Sequence, residues 1–178
     1  MMEVVKNNNK IIITDTSVLI NFLNINRIDL LENYSTNFFI TTHVIDEVTQ
    51  FYPRQQERLN LAIKNNLISI VDVNQLDELA LFSQLSESGR FGAGECSAIA
   101  CAICRHYSLA IDDVRARKQA EKLSPNLKII TTQDIVVQLI QQETLTVDEA
   151  DKIKNEWRSE YKFLLKVESF GELVGNEI

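Results

Sequence analysis

Five carboxylates stand where an alternating strand-and-helix chain would turn or open a helix: Asp15, Glu47, Glu95, Asp112 and Asp113. Asp15 follows the β-branched run Ile11-Ile12-Ile13-Thr14 and precedes an apolar pattern at helical spacing, which puts it at a strand-to-helix junction. Asp112-Asp113 follows Ser108-Leu109-Ala110-Ile111 in the same way. Glu95 occupies the first turn of a helix led by the glycine-rich stretch Gly89-Arg90-Phe91-Gly92-Ala93-Gly94, and Glu47 lies beside Val44 and Val48 at the edge of a buried helix face. Their separation in sequence is too wide for a local salt-bridge pattern. Gathered by a sheet, several carboxylates repel one another and lose hydration, a cost that a cation offsets. Oxygen ligands suit Mg²⁺ or Mn²⁺, which keep some waters and leave positions open for phosphate oxygens. Such a site can orient a metal-activated water for in-line attack on a phosphodiester. The plainer reading is that Asp15, Thr16 and Ser17 only cap the next helix. The recurrence of carboxylates in comparable positions weighs toward the site.

The elements that must carry these groups are legible from periodicity. Strands are expected over 11–14, 38–40, 67–73, 108–111 and 127–130. Helices are expected over 18–23, 28–34, 43–51, 55–65, 96–104, 114–123 and 135–140. A further helix after Asn74 carries Leu76, Leu79, Phe82 and Leu85 as its apolar stripe. The alternation predicts an α/β fold, a doubly wound parallel sheet with helices on both faces, with ligands bound at the carboxyl ends of its strands. Residues 1–10 read as a polar lead-in, residues 1–142 as the main domain and residues 143–178 as a helical appendage. In that appendage Ile153, Trp157, Tyr161 and Leu164 share one face of a helix over 148–165, to be buried on the body or across a dimer.

At 178 residues and 45% hydrophobic composition, with 5 glycines and 2 prolines, the chain is sized for one well-packed domain. Neither a membrane-length apolar run nor the apolar core of a signal peptide is present, which predicts a cytoplasmic protein with no membrane partner. Cys96, Cys101 and Cys104 fall among Ala and Ile and read as reduced, packed thiols. The formal net charge is −7, but residues 143–178 hold nine acids against five bases. The rest of the chain has 13 bases against 16 acids, and five of those acids are the candidate site, so the remaining body is weakly basic. That balance permits a phosphate-backbone substrate. Arg115, Arg117, Lys118 and Lys122 form either the solvated face of a helix or a guide for phosphates, with Arg90 in the glycine-rich loop as a further candidate. His43 and His106 have no triad around them and read as structural, and Asp46 as surface.

The pieces Asp15-Thr16-Ser17-Val18-Leu19, Val44-Ile45-Asp46-Glu47-Val48, Gly94-Glu95-x-x-Ala98-Ile99-Ala100 and Ile111-Asp112-Asp113-x-x-Ala116-Arg117 occur in the order found in PIN-domain ribonucleases. Over roughly residues 11–140 the chain resembles that family, and its last two pieces look like a prokaryotic branch of toxins of the VapC type. The resemblance implies a metal-dependent endoribonuclease whose acidic ligands map onto Asp15, Glu47, Glu95 and one of Asp112 and Asp113, with Asp113 nearer the helix start. It implies Mg²⁺ or Mn²⁺ held by Asp15, Glu95, Asp112 and Asp113; read from the residues themselves, Thr16 and Ser17, besides capping the helix, and Arg90, Arg115 and Arg117 are the candidates to meet RNA. The resemblance also implies a protein antitoxin as partner, and the apolar face of the C-terminal appendage adds the expectation of a homodimer. A binding or regulatory subunit that keeps the fold without turnover is the rival reading. So is a phosphatase-like hydrolase with an Asp nucleophile, although Ser17 stands where that class wants a second Asp. Near the fifth strand the branch carries a glycine turn, and this chain has Thr131-Thr132-Gln133-Asp134 instead.

Overall fold

Ile12 and Ile13 point to opposite faces of a central strand and both are buried, so this strand requires apolar cover on two sides. The computed structural model describes residues 10–175; the expected lead-in, except for Lys10, lies outside the described residues. The strands are β1 (Ile11–Thr14), β2 (Asn37–Thr41), β3 (Ser69–Val71), β4 (Ser108–Ala110) and β5 (Ile129–Ile130). They form one sheet in the order β3-β2-β1-β4-β5, with every neighbouring pair parallel. Ile13 lies opposite Phe39 on one side and Leu109 on the other. The chain order reverses beside β1, and the crevice at the carboxyl ends of β1 and β4 is where such sheets bind ligands. The edge strands β3 and β5 are shorter than the expected 67–73 and 127–130, because an edge strand has a partner on one side only and its ladder stops with that partner.

The helices in chain order are α1 (Thr16–Asn24), α2 (Asp29–Glu32), α3 (Thr42–Phe51), α4 (Pro53–Lys64), α5 (Leu76–Glu87), α6 (Ala93–Cys104), α7 (Val114–Leu123), α8 (Thr132–Gln141), α9 (Val147–Tyr161) and α10 (Gly171–Val174). Ile12 joins α1 to α4, α8 and α9 in one core, while Ile13 joins α5, α6 and α7 in a second. The doubly wound expectation therefore holds. Cys96 and Cys101 are free and buried in the second core, as small apolar packing requires.

Two expectations about helix faces fail. In α5, Phe82 and Leu85 turn inward as expected, but Leu76 is 87% exposed and Leu79 45% exposed, and Glu78 is buried in their stead. Arg105, the C-terminal cap of α6, decides this: its guanidinium pairs with both oxygens of Glu78, whose Oε2 also accepts the Asn74 and Gln75 backbone N–H groups at 3.1 Å. A carboxylate so fully bonded can be buried where an unpaired one could not. In the C-terminal segment, α9 ends at Tyr161 rather than 165 because Lys162 takes a left-handed conformation, φ 58°. The expected apolar face is cut there, leaving Ile153 and Trp157 buried, Tyr161 partly exposed and Leu164 66% exposed. Trp157 packs edge-on against Phe22 and Phe163, at ring separations of 5.8 and 5.6 Å, so this face is buried against the chain's own body.

Candidate active site

Asp15 extends the ladder by one residue, its N–H donating to the Ala110 carbonyl at 3.0 Å, and then caps α1 by accepting the Val18 N–H at 3.0 Å. It is a helix cap and it is fully buried. The Ser17 hydroxyl lies 2.8 and 2.7 Å from its two oxygens and itself accepts the Asp112 N–H at 3.1 Å, so one hydroxyl ties the ends of β1 and β4 together. Burial pushes the Asp15 carboxyl up to about 7, against the Val18 and Ser17 hydrogen bonds, and the charges of Asp112 and Glu95 add to the rise.

Glu47 reaches the same place from α3, where Val44 and Val48 are buried and Asp46 is exposed, as expected. Its Oε2 accepts the Thr16 hydroxyl at 2.5 Å and its Oε1 the Gly94 N–H at 2.8 Å. Gly94 sits in the first turn of α6, and a Cβ there would overlap the Glu47 carboxylate and come within 2.9 Å of the Thr16 hydroxyl. Gly94→Ala should therefore leave stability within about 1 kcal/mol of the parent, since alanine's helix propensity offsets the displacement of a flexible carboxylate. It should still drive Glu47 off both donors. Thermal melts combined with the cleavage assay below check this: a variant that melts normally and cuts normally would mean that Glu47 needs no fixed position.

Glu95 opens α6 in a capping box, accepting the Gly92 N–H at 3.0 Å. Burial raises its pKa against that hydrogen bond, and the Asp113 and Glu47 carboxylates raise it further, opposed by Arg115. Asp113 caps α7 through the Arg115 and Ala116 N–H groups at 2.9 and 2.8 Å. Asp112 turns inward instead. It accepts the Thr132 N–H at 2.9 Å, the Thr132 hydroxyl at 2.6 Å and the Asn21 amide at 3.0 Å. Burial raises its pKa as well, opposed by Thr132 and Arg117.

Asn21 and Thr132 are the residues that sequence reasoning missed. Asn21 had a signal, a lone amide inside the apolar run Val18-Leu19-Ile20-Asn21-Phe22-Leu23. Thr132 sits where the glycine turn is absent: Thr131 caps α8 and Thr132 holds Asp112. Thr16 and Ser17, expected to meet substrate, give their hydroxyls to Glu47 and Asp15.

Asp15, Glu47 and Glu95 line one cleft of 290 Å³ with Phe51 and Tyr52 at its side. Asp112 lies across Ser17 from it, and the Asp113 charge is felt at Glu95. Of the expected cations, Arg90 and Arg115 share a neighbouring cleft, whereas Arg117 is not among its lining residues and acts on Asp112 only through its charge. The donors around Asp15 are carboxylate and hydroxyl oxygens, a set that suits a hard divalent cation. As placed, they do not close into a ligand cage: among the described residues no three His, Cys, Asp or Glu groups form one.

No curated protein matches the chain. Among solved structures, that of VapBC2 from Rickettsia felis bound to a DNA fragment from their promoter is similar over 68% of this chain and 98% of that one, at 18% identity and a TM-score of 0.46. A family model described as PIN domain matches residues 11–172, which runs from β1 into α10 and takes in the C-terminal helices. The chain belongs to the PIN-domain family.

Proposed function

We propose that this chain is a metal-dependent endoribonuclease that hydrolyses RNA phosphodiester bonds with Mg²⁺ or Mn²⁺ in the cytoplasm. The supporting observation is the gathering of Asp15, Glu47, Glu95, Asp112 and Asp113 around the carboxyl ends of β1 and β4, with Asp15 buried so completely that its charge calls for a counter-ion. Asp15, Glu95, Asp112 and Asp113 would hold the ion, and Asp15, Glu47, Glu95 and Asp113 would act on substrate. When bound, a divalent cation supplies Lewis-acid chemistry, acidifying water and neutralising charge on the scissile phosphate. The chain's own part is positional. Ser17 locks both Asp15 oxygens, Thr16 and Gly94 lock Glu47, and Asn21 with Thr132 locks Asp112.

Among the described residues no helix is long and apolar enough to cross a membrane. The motifs around Glu95 and Asp112-Asp113 support the toxin half of a toxin–antitoxin pair. A neighbouring gene for a small DNA-binding or inhibitory protein would support an antitoxin partner. A homodimer stays in this reading and sedimentation tests it, though the α9 face is already buried within the chain.

The direct test incubates end-labelled structured RNA with the protein in Mn²⁺, Mg²⁺ or EDTA. Internal cuts are expected with either metal and none in EDTA, with Glu95→Gln slower by about 10²-fold or more. The rival reading is a regulatory PIN-domain subunit that keeps the fold without turnover. Intact RNA under millimolar Mn²⁺ would decide for that rival.

A further inference from the structure

In an all-parallel sheet the residues just before each strand gather along one edge, and in this chain that edge is polar. Lys10 precedes β1, Thr36 precedes β2, Ser108 opens β4 and Lys128 precedes β5. With Tyr34, Ser35 and Gln138 of α8 they line a cavity of 360 Å³ over Ile12 and Ile130, a volume within the range of small-ligand sites. No acid lines it, and Lys10 and Lys128 have no ion-pair partner among the described residues. Asp134, whose charge is felt at Tyr34, is held in the cap of α8 by the Thr131 N–H at 2.8 Å and the Thr131 hydroxyl at 2.7 Å. The Tyr34 hydroxyl donates to the Gln138 carbonyl, and the Gln138 amide donates to Ser35 at 3.1 Å, which leaves the Ser35 O–H to donate elsewhere. Thr36 is the decisive residue. It is 7% exposed and lines the cavity, and its hydroxyl has no hydrogen-bond partner among the described residues, so whatever fills the cavity must satisfy it.

We propose that this cavity binds a small phosphomonoester of nucleotide size, its phosphate held between Lys10 and Lys128 and accepting from Ser35, Thr36 and Ser108, its apolar part resting on Ile12 and Ile130. A phosphomonoester carries a charge of about −1.5 to −2 at pH 7 and three strong acceptor oxygens, which matches two ammonium groups and three hydroxyl donors. A monocarboxylate would leave one lysine unmatched. The cavity is separate from the acids, since Lys10 and Asp15 stand at opposite ends of β1, about 16 Å apart at the rise of a strand. It therefore does not depend on the nuclease reading.

The test is calorimetric titration of the full chain in EDTA with AMP, inorganic phosphate, adenosine and succinate. AMP should bind at a single site, inorganic phosphate more weakly, and adenosine and succinate at least about tenfold more weakly than AMP. Lys10→Gln and Lys128→Gln should each weaken AMP about tenfold, the effect of losing one charge-assisted hydrogen bond. Lys118→Gln with Lys122→Gln, on α7 and outside this cavity, should bind AMP like the parent. Thr36→Val keeps nearly the same shape and removes the hydroxyl. It should weaken AMP about fivefold, yet without ligand it should melt no lower than the parent, because no hydrogen bond within the chain is lost. A parent that ignores millimolar AMP, cavity lysine variants that bind like the parent, or loss of binding in the α7 pair would each overturn the site. Adenosine equal to AMP, or succinate tighter than AMP, would overturn the phosphate assignment, and a Thr36→Val protein that binds AMP like the parent would remove the hydroxyl from it.

Discussion

Asp15→Asn is expected to abolish RNA cleavage while producing a metal-free protein that melts higher than the parent at pH 8. The folded parent holds the Asp15 proton up to about 7, against the ordinary 3.8 for an unperturbed Asp. The folded state therefore binds that proton more tightly than the unfolded state does. Stability is greatest below the unfolded value and is lost as the pH rises from about 4 to about 7, after which it levels off. The full difference is roughly 4 kcal/mol at 1.36 kcal/mol per pH unit. Asparagine has no such loss and caps a helix about as well, keeping an oxygen for the Val18 N–H. The variant should thus gain about 2–4 kcal/mol over the parent at pH 8 and little near pH 4, a melting difference of roughly 4–15 °C that grows with pH. Mn²⁺ at a hundred times its dissociation constant should stabilise the parent by about 2.7 kcal/mol and the variant much less. Melts of both proteins between pH 4.5 and 8, with and without Mn²⁺, measure all of this. A parent indifferent to millimolar Mn²⁺ would remove the metal site, and a variant that still cuts RNA would end the proposed role of Asp15.

Trp157→Ala should cost about 3–5 kcal/mol, which in a chain of this size lowers the melting point by roughly 6–20 °C. The indole is fully buried between Phe22 and Phe163, and its Nε1–H donates to the Asn21 carbonyl at 2.8 Å. Asn21 is also the residue whose amide holds Asp112. Loss of the indole leaves a large cavity and an unpaired buried carbonyl at the base of the site, so cleavage should fall further than the unfolded fraction explains. Trp157→Phe restores most of the ring and should recover more than half of the lost stability while leaving that carbonyl without its donor. Trp157 is the single tryptophan, so circular dichroism is the suitable readout. A loss below about 1 kcal/mol for Trp157→Ala would show that the C-terminal helices contribute little to the core.

The sequence alone determined the fold class and the approximate site of each acid. A β-branched run ended by Asp15, and the basic stretch over 114–123, carry their structure in local periodicity, and α7 spans those very residues. Burial of Val44 and Val48 with Glu47 at their edge follows from the same local rule. What the sequence left open depends on partners far away along the chain. Asp112 and Asp113 are alike in sequence; they differ because Asn21, 91 residues earlier, and Thr132, 20 residues later, draw Asp112 inward, while Asp113 stays as the cap of α7. The apolar stripe of α5 looked continuous from Leu76, yet Arg105 made Glu78 the buried residue and left Leu76 in solvent. Helical periodicity marks which faces can be buried. Which face is buried, and which carboxylate loses its water, is decided by the hydrogen-bond donors that the tertiary fold brings against it.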